Sequence, residues 1–104
     1  MKIISKITMV LIFVTISANA DGQKVFKDYC WGCHHQTAQA FGPSFKQIAT
    51  TRSKDQIITH IASPKSDYKA LGYKRSVMPA FGTVLTKDEL DQIVQFIYSC
   101  KDMK

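Results

Sequence analysis

The sequence predicts a small all-α domain of three to five helices, and three observations support this. Several segments place apolar residues three and four positions apart, as one face of a helix requires. Three segments carry a Ser or Thr followed three positions later by Gln or Glu, which is the capping-box pattern of a helix start. No segment alternates apolar and polar residues convincingly enough to form a half-buried strand.

Four helices are predicted in chain order. The first runs from residue 22 to about residue 33. Capping boxes open a short second helix at Ser44, which continues through Ile48, and a third helix at Ser53, which ends before a Ser-Pro pair. The last helix follows the capping box at Thr86 and has a continuous apolar stripe. The residues of that stripe are Leu90, Ile93, Val94 and Ile97.

Residues 1–20 have the pattern of a secretory signal peptide. Two lysines give a positive start, residues 7–16 are uncharged and mostly apolar, and small residues lead to a cleavage site after Ala20. The alternative is a retained N-terminal membrane anchor, although the apolar stretch is shorter than the ~20 residues that span a bilayer. We therefore predict a cleaved signal peptide over residues 1–20 and one domain over residues 21–104, exported to the periplasm.

The composition excludes several classes of protein. The chain of 104 residues has 45% hydrophobic and 21% charged residues, as ordinary globular proteins do, and it lacks internal repeats. Its formal net charge is +6, but an exported protein of this charge is not expected to bind nucleic acid. The predicted domain of 84 residues buries little surface, and domains of that size usually depend on disulfides, a metal or a cofactor.

The cysteine pattern indicates which of these the domain uses. Cys30 and Cys33 belong to the sequence Cys-Trp-Gly-Cys-His, which ends at His34 and has the C-x-x-C-H spacing of c-type haem attachment. Two thiols at this spacing on a helical turn can add to the two vinyl groups of one porphyrin edge. The imidazole of the next residue then reaches the iron. We therefore predict one covalently bound haem c.

Three other interpretations compete. A C-x-x-C pair also occurs in thioredoxin-like thiol oxidoreductases, but these need a strand before the motif in a βαβ context. The pair could supply half of a zinc site with His34, His35 or His60, although no second pair of ligands at metal-binding spacing follows. A plain disulfide at this spacing would close a strained ring and stabilise little.

The iron also needs a second axial ligand or an open position. Met78 precedes a proline, which disfavours helix at Met78 and holds the segment extended. Its thioether could then lie on the haem face opposite His34. His35 adjoins His34 and cannot reach that face, Met103 lies past the last predicted helix, and His60 falls within a helical pattern. Met78 is therefore the predicted ligand.

These motifs resemble those of class I monohaem cytochromes c, and the resemblance covers the whole predicted domain. In that family a glycine and an aromatic residue precede the first haem cysteine by eight and four positions, as Gly22 and Phe26 precede Cys30 here. The family's Gly-Pro pair after the haem motif and its axial methionine also have counterparts. The unusual features are the Trp-Gly pair between the haem cysteines, a short loop before Met78, and a third cysteine.

The resemblance implies a fold in which a few helices wrap around one covalently attached haem. The N- and C-terminal helices cross in such a fold, and here Gly22 and Phe26 would meet Ile93 and Phe96 at the crossing. The small glycine would allow the two backbones to approach closely.

The resemblance also implies the residues that hold haem c and its iron. Cys30 and Cys33 are the expected attachment points, and His34 and Met78 the expected iron ligands. Three further residues are predicted beside the haem. The carbonyl of Pro43 would accept the Nδ1 proton of His34, Phe45 would pack on the haem, and Arg52 would bind a propionate. Other candidate propionate partners are Tyr68, Tyr73, Lys74 and Arg75.

The expected function follows from this ligand set. A low-spin iron with His and Met ligands has no open position for oxygen or peroxide, and the thioether raises its reduction potential. We predict a one-electron carrier and not an enzyme. The alternative is an open-site haem enzyme or gas sensor in which Met78 does not ligate. A more distant alternative is a thiol–disulfide oxidoreductase that uses Cys30 and Cys33.

The expected partners are redox proteins, such as an oxidase, a peroxidase, a reductase or a dehydrogenase. Residues 65–75 contain four basic residues and one acid, and this segment can form a basic rim that attracts an acidic docking surface. No permanent membrane span is expected after cleavage.

Cys100 has no intramolecular partner if the haem uses the other two cysteines. It lies on the same side of the last helix as Ile93 and Phe96, which predicts a small buried side chain. The alternative is an exposed thiol that joins two molecules in an oxidising compartment. We expect the buried thiol and a monomer.

Overall fold

The protein is built from helices joined by turns and loops. The computed structural model describes residues 18–104, and this part of the chain contains no strand, which confirms the predicted all-α class. The predicted signal peptide lies almost entirely outside the described residues. The α-helices are α1 (Ala18–Val25), α2 (Phe45–Thr51), α3 (Lys54–Ala62), α4 (Pro64–Asp67) and α5 (Lys87–Ser99), and a π-helical segment (Phe26–Cys30) continues α1.

The predicted capping residues begin three of these helices. At Ser53 and Thr86 the capping box is complete. The capping side chain accepts a hydrogen bond from the backbone N–H three positions on. The side chain at that position, Gln56 or Glu89, accepts one from the backbone N–H of the capping residue. Ser44 makes only the first of these bonds, to the N–H of Gln47 at 3.0 Å. Such caps stabilise a helix start by about 0.5–2 kcal/mol.

The structure differs from the predicted helix bounds in four places. The described part of α1 begins at Ala18 and not at residue 22. The first helix becomes π-helical at Phe26, whose carbonyl accepts from the N–H of Trp31 at 2.8 Å, and the segment ends at Cys30. The second helix continues past Ile48 to Thr51. Pro64 starts α4, since a proline at the first helical position lacks only a hydrogen that would be unpaired anyway. The spacing of apolar residues alone does not predict these helix bounds.

The first and last helices pack against each other, as the family resemblance implies. A Cβ added at Gly22 would lie 2.5 Å from the carbonyl oxygen of Gln92 and 2.7 Å from the Cβ of Phe96. Only a glycine therefore fits at this crossing. The ring of Phe26 lies 5.3 Å from that of Phe96 and 5.2 Å from that of Phe45, so the three aromatic residues join α5 to α2. Ile93 is buried beside them, but the closest approach to Gly22 is made by Gln92 and Phe96.

Cys100 is fully buried at the end of α5, which confirms the prediction of a buried thiol. Its Sγ lies 3.3 Å from the carbonyl oxygen of Phe96 and donates to it. Burial raises the pKa of the Cys100 thiol, and the Ser99 side chain opposes this shift. A neutral, enclosed thiol is a poor nucleophile.

We expect the Cys100→Ser variant to remain monomeric and to lose about 1–3 kcal/mol of stability, because a hydroxyl replaces sulfur in an apolar site. Denaturant unfolding of the haem-loaded protein measures this loss. Cys100→Ala serves as the control that removes the sulfur without adding a hydroxyl. Rapid labelling of the native protein by a bulky thiol reagent would contradict the buried position.

Candidate cofactor site

The helices enclose an apolar cleft of about 330 Å³, which falls within the ~300–1,000 Å³ range of small-molecule sites. Both cysteines of the C-x-x-C-H motif line it, together with His34 and Met78. Most of the remaining wall is aliphatic or aromatic. That part of the wall includes Phe45, Ile48, Ile57, Ile61, Leu71, Phe81, Leu85, Ile93 and Ile97.

The imidazole of His34 is held in one orientation. Its Nδ1 lies 2.8 Å from the carbonyl oxygen of Pro43, and because a carbonyl can only accept, Nδ1 must carry the proton. The other ring nitrogen, Nε2, then keeps its lone pair for a metal. Burial lowers the pKa of His34, although the bond to Pro43 opposes that effect. Both observations favour the neutral imidazole that a metal ligand requires.

Gly42 forms the floor beneath this ring. Its N–H donates to the carbonyl oxygen of Cys33 at 2.7 Å, which brings the loop after the haem motif back against the motif itself. A Cβ at this position would lie 2.5 Å from Cε1 and 2.8 Å from Nδ1 of His34. The Gly-Pro pair thus acts as a unit, in which the glycine makes room for the ring that Pro43 orients.

We expect the Gly42→Ala variant to displace the His34 ring and to cost about 1–3 kcal/mol, the usual range for an overfilled site. The hydrogen bond to Pro43 should lengthen, which should also shift the reduction potential. Thermal unfolding and potentiometry of the haem-loaded protein measure the two effects. Gly32→Ala is the matched control, because a Cβ there meets nothing within 4 Å. Equal effects of the two substitutions would contradict this account.

The first cysteine of the motif lacks the lowered pKa of a redox-active thiol. Burial, and secondarily the neighbouring Cys33, raise the pKa of Cys30 to about 12. Catalytic thiols of C-x-x-C oxidoreductases have a lowered pKa, because the thiolate is the nucleophile. The strand that such enzymes place before the motif is also missing, since α1 and the π-helical segment precede Cys30. The structure therefore disfavours the thiol–disulfide alternative.

The zinc alternative also lacks support within residues 18–104. No group of three or more His, Cys, Asp or Glu side chains is arranged there to hold a metal ion. The Nδ1 of His35 is already occupied, because it accepts from the backbone N–H groups of Thr37 and Ala38.

Most of the other predicted haem contacts lie around the cleft. Phe45 is buried, and its ring centroid is 5.4 Å from that of His34, so it packs behind the imidazole as well as on the cleft. Met78 is half-buried and lines the cleft. Arg52 also lines it, and its guanidinium donates to the hydroxyl of Tyr73 at 3.0 Å. Arg75 borders the cleft too, whereas Tyr68 and Lys74 do not.

Two polar features of the cleft are not predicted by the sequence analysis. The Oγ of Ser76 is buried without a hydrogen-bond partner among the described residues. His60 lines the cleft, and its Nδ1 lies 2.7 Å from Oδ1 of Asp67. His60 lies in α3 and Asp67 in α4, so the spacing of residues along one helix could not have predicted that the two side chains meet.

These residues fit a haem. The apolar wall suits the porphyrin, the paired thiols suit covalent attachment, and the unpartnered Ser76 hydroxyl and Arg52 suit a group that carries carboxylates. A small all-α fold around such a cleft defines a c-type cytochrome. Residues 17–97 match the model of the family described as Cytochrome C oxidase, cbb3-type, subunit III, and the chain belongs to that family. No curated protein and no solved structure matches the chain significantly.

Membership of this family confirms the c-type cytochrome predicted from the C-x-x-C-H motif. It implies a covalently bound haem c with its iron, a role in electron transfer and redox proteins as partners. Cytochrome c domains of this kind are usually exported. Over the part of the chain that the structure describes, none of the helices is both long enough and apolar enough to cross a membrane.

Proposed function

We propose that the protein is a one-electron carrier outside the cytoplasm, with the haem iron held between His34 and Met78. The observation that carries this proposal is the shared cleft. His34, with its Nδ1 bonded to Pro43, and Met78, in the segment before Pro79, both line the same apolar space. Cys30 and Cys33 lie at that space as well and would attach the haem covalently.

The ligand set supports a carrier. The haem, when bound, supplies the one-electron couple between ferrous and ferric iron. His34 and Met78 would hold the iron through an imidazole and a thioether, and the thioether would raise the reduction potential. With both ligands bound, the iron would have no open position for oxygen or peroxide, which favours a carrier over catalytic turnover.

The polar side chains of the cleft have a different role in this proposal. The hydrogen bond between Arg52 and Tyr73 fixes a positive charge beside a largely apolar wall. A fixed positive charge there would bind and partly neutralise the carboxylates of the haem. Ser76 could donate to the same carboxylates, since its hydroxyl has no other acceptor among the described residues.

The electronic spectrum of the purified haem-loaded protein tests the proposal. Methionine ligation of ferric iron gives a low-spin spectrum with a weak charge-transfer band in the red. An open position gives high-spin bands and ready binding of carbon monoxide to the ferrous form. A high-spin ferric spectrum would overturn the carrier and support the open-site enzyme or gas sensor.

The charge distribution supports acidic redox partners. Arg52 and Arg75 line the cleft, and no Asp or Glu does so in the described part of the chain. Positive potential at the haem-binding side would increase the rate of encounter with a negatively charged partner. A monomer of this kind would move between its donor and its acceptor by diffusion.

We expect the bimolecular rate of electron transfer with an acidic redox protein to fall as salt is raised, because the screening length is about 8 Å at 0.15 M ionic strength. Lys74→Glu should lower the low-salt rate roughly 3- to 10-fold through slower association. Lys101→Glu, the same charge change beyond the end of α5, is the control. Stopped-flow measurements at several ionic strengths give the rates. A rate that does not change with salt would contradict electrostatic attraction between the two proteins.

A further inference from the structure

We propose that the contact between the Phe81–Gly82 pair and the end of α3 positions Met78, and that Gly82 is the residue that permits this contact. The inference rests on the proposed ligand role of Met78 and adds the part of the chain that determines how firmly this ligand is held. Gly82 does not line the cleft, so it acts through the loop as a positioning residue.

The segment around Met78 has little backbone support. Among the described residues, no hydrogen bond between backbone groups involves residues 74–80. The bonds that border this segment are donated by the N–H of Tyr73, within the preceding turn, and by the N–H of Phe81, to the carbonyl of Ile61, both at 2.9 Å. Met78 is three residues from Phe81 and five from Tyr73, so the bond at Phe81 is the nearer constraint.

Two adjacent hydrogen bonds anchor the loop to the end of α3. The N–H of Phe81 donates to the carbonyl of Ile61 at 2.9 Å, and the N–H of Gly82 donates to the carbonyl of Ala62 at 3.1 Å. Ile61 and Ala62 are the last two residues of α3, where helix carbonyls have no partner within the helix. The loop therefore satisfies acceptors that the helix leaves open. We call these two bonds the Phe81–Gly82 anchor.

Gly82 allows the loop to approach α3 this closely. A Cβ added there would lie 2.9 Å from the carbonyl oxygen of Ala62 and 3.5 Å from its Cβ. The shorter distance is to a backbone atom, which cannot turn aside as a side chain can. The φ of Gly82 is not positive, so the close approach and not the backbone conformation explains the glycine. Gly82 is otherwise exposed, and an added methyl group would disturb little besides this contact.

The side chain and carbonyl of Phe81 hold the same point from two other directions. Its ring centroid lies 6.1 Å from that of Tyr29, and the two rings are inclined at 72°. Tyr29 directly precedes Cys30, so this contact joins the loop to the segment that would attach the haem. The carbonyl of Phe81 accepts from the N–H groups of Val84 and Leu85, at 3.1 and 3.0 Å. The anchor is therefore the firmest point next to Met78.

The anchor would determine how often Met78 leaves the iron. No backbone bond lies between Met78 and Phe81, so a displacement of the anchor would reach the methionine directly along the chain. When the thioether leaves, its sulfur keeps its electron pair, and a small external ligand can supply a pair in its place. The oxidation state of the iron does not change, and no proton is transferred.

Binding of imidazole to the ferric haem-loaded protein, followed by stopped-flow absorption, tests this inference. At high imidazole concentration the observed rate reaches a limit, which is the rate at which the thioether departs. We expect Gly82→Ala to raise this limiting rate roughly tenfold. Tenfold corresponds to about 1.4 kcal/mol, within the usual cost of an overfilled contact. Without imidazole the ferric spectrum of Gly82→Ala should remain low-spin, because Met78 itself is retained.

Two further variants serve as controls. Thr83→Ala changes an exposed side chain next to Gly82 and should leave the limiting rate unchanged. Cys100→Ser lowers the stability of the protein at a site that does not line the cleft, and it should also leave the rate unchanged. An equal rise in Gly82→Ala and Cys100→Ser would show that methionine departure follows overall stability and would overturn the anchor. Equal rates in Gly82→Ala and Thr83→Ala would overturn it as well.

Hydrogen exchange of the wild type is a second measurement that needs no substitution. Coupling between two sites is reciprocal, so imidazole that displaces Met78 should weaken the anchor. We expect the amides of Phe81 and Gly82 to be protected, and their protection to fall at least tenfold in saturating imidazole. The amide of Leu90, which donates to Thr86 at 2.9 Å in α5, should keep its protection. Unchanged protection of Phe81 and Gly82 would contradict the coupling.

A failure of the ligand role of Met78 would give a different result. The wild type would then be high-spin, and its rate of imidazole binding would rise with concentration without reaching a limit. Both observations are made before any substitution. A failure of the anchor alone leaves the wild type low-spin with a limiting rate that Gly82→Ala does not change.

Discussion

The Met78→Ala variant should lose the low-spin spectrum of the wild type. Alanine cannot bind a metal, so the iron would lose one of its two protein ligands, and the ferrous form should bind carbon monoxide readily. The reduction potential should fall on the order of 0.1 V, within the ~0.8 V range over which axial ligands set haem potentials. Absorption spectra of both oxidation states, carbon monoxide titration and potentiometry measure these changes.

Two controls isolate the ligand role of Met78. Met103 is also accessible but does not line the cleft, so Met103→Ala should leave the spectrum unchanged. His60 lines the cleft, and the carboxylate of Asp67 at its Nδ1 resembles the partners that orient metal-bound imidazoles. An unchanged spectrum in Met78→Ala that is lost only on adding His60→Ala would transfer the ligand role to His60.

The double variant Cys30→Ala with Cys33→Ala should be largely unfolded. The cleft is walled by core residues such as Ile57, Ile93 and Ile97, which would face water without the haem. An unfilled cavity lowers the free energy of unfolding by roughly 24 cal/mol per Å³. An empty cleft of about 330 Å³ would therefore cost at most ~8 kcal/mol of stability, and less if water enters it. That is comparable with the whole stability of a typical domain, about 5–15 kcal/mol.

Circular dichroism and limited proteolysis measure the folding of this variant. Cys100→Ala is the matched control, because it removes a cysteine that does not line the cleft and should leave the chain folded and haem-loaded. A cooperative, native-like unfolding transition in the double variant would contradict the dependence of the fold on haem.

Much of the fold could be predicted because its signals are local. A Ser or Thr with its partner three positions on specifies a cap, and the caps at Ser53 and Thr86 form as expected. The C-x-x-C-H motif is likewise local, because its five consecutive positions fix the spacing of the two cysteines and the histidine. The π-helical turn at Phe26 could not be predicted, because no residue pattern in the segment distinguishes a single π-helical turn from an α-helical one.

The site shows the same division. The sequence positions of His34 and Pro43 indicate their partnership because a family motif links them. The bond between His60 and Asp67 and the unpartnered hydroxyl of Ser76 depend on how two separate segments pack. No single segment carries that information, and so the polar side of the cleft emerges only from the three-dimensional arrangement.

The crossing at Gly22 has a consequence for how the chain folds. Helical proteins usually fold fast, because most of their contacts join near neighbours in sequence. Here the tightest helix packing joins Gly22 to Phe96, which are 74 residues apart. Closing so long a loop costs entropy before any contact compensates it. We therefore expect the docking of the two terminal helices to follow the formation of the individual helices, whose own contacts are local.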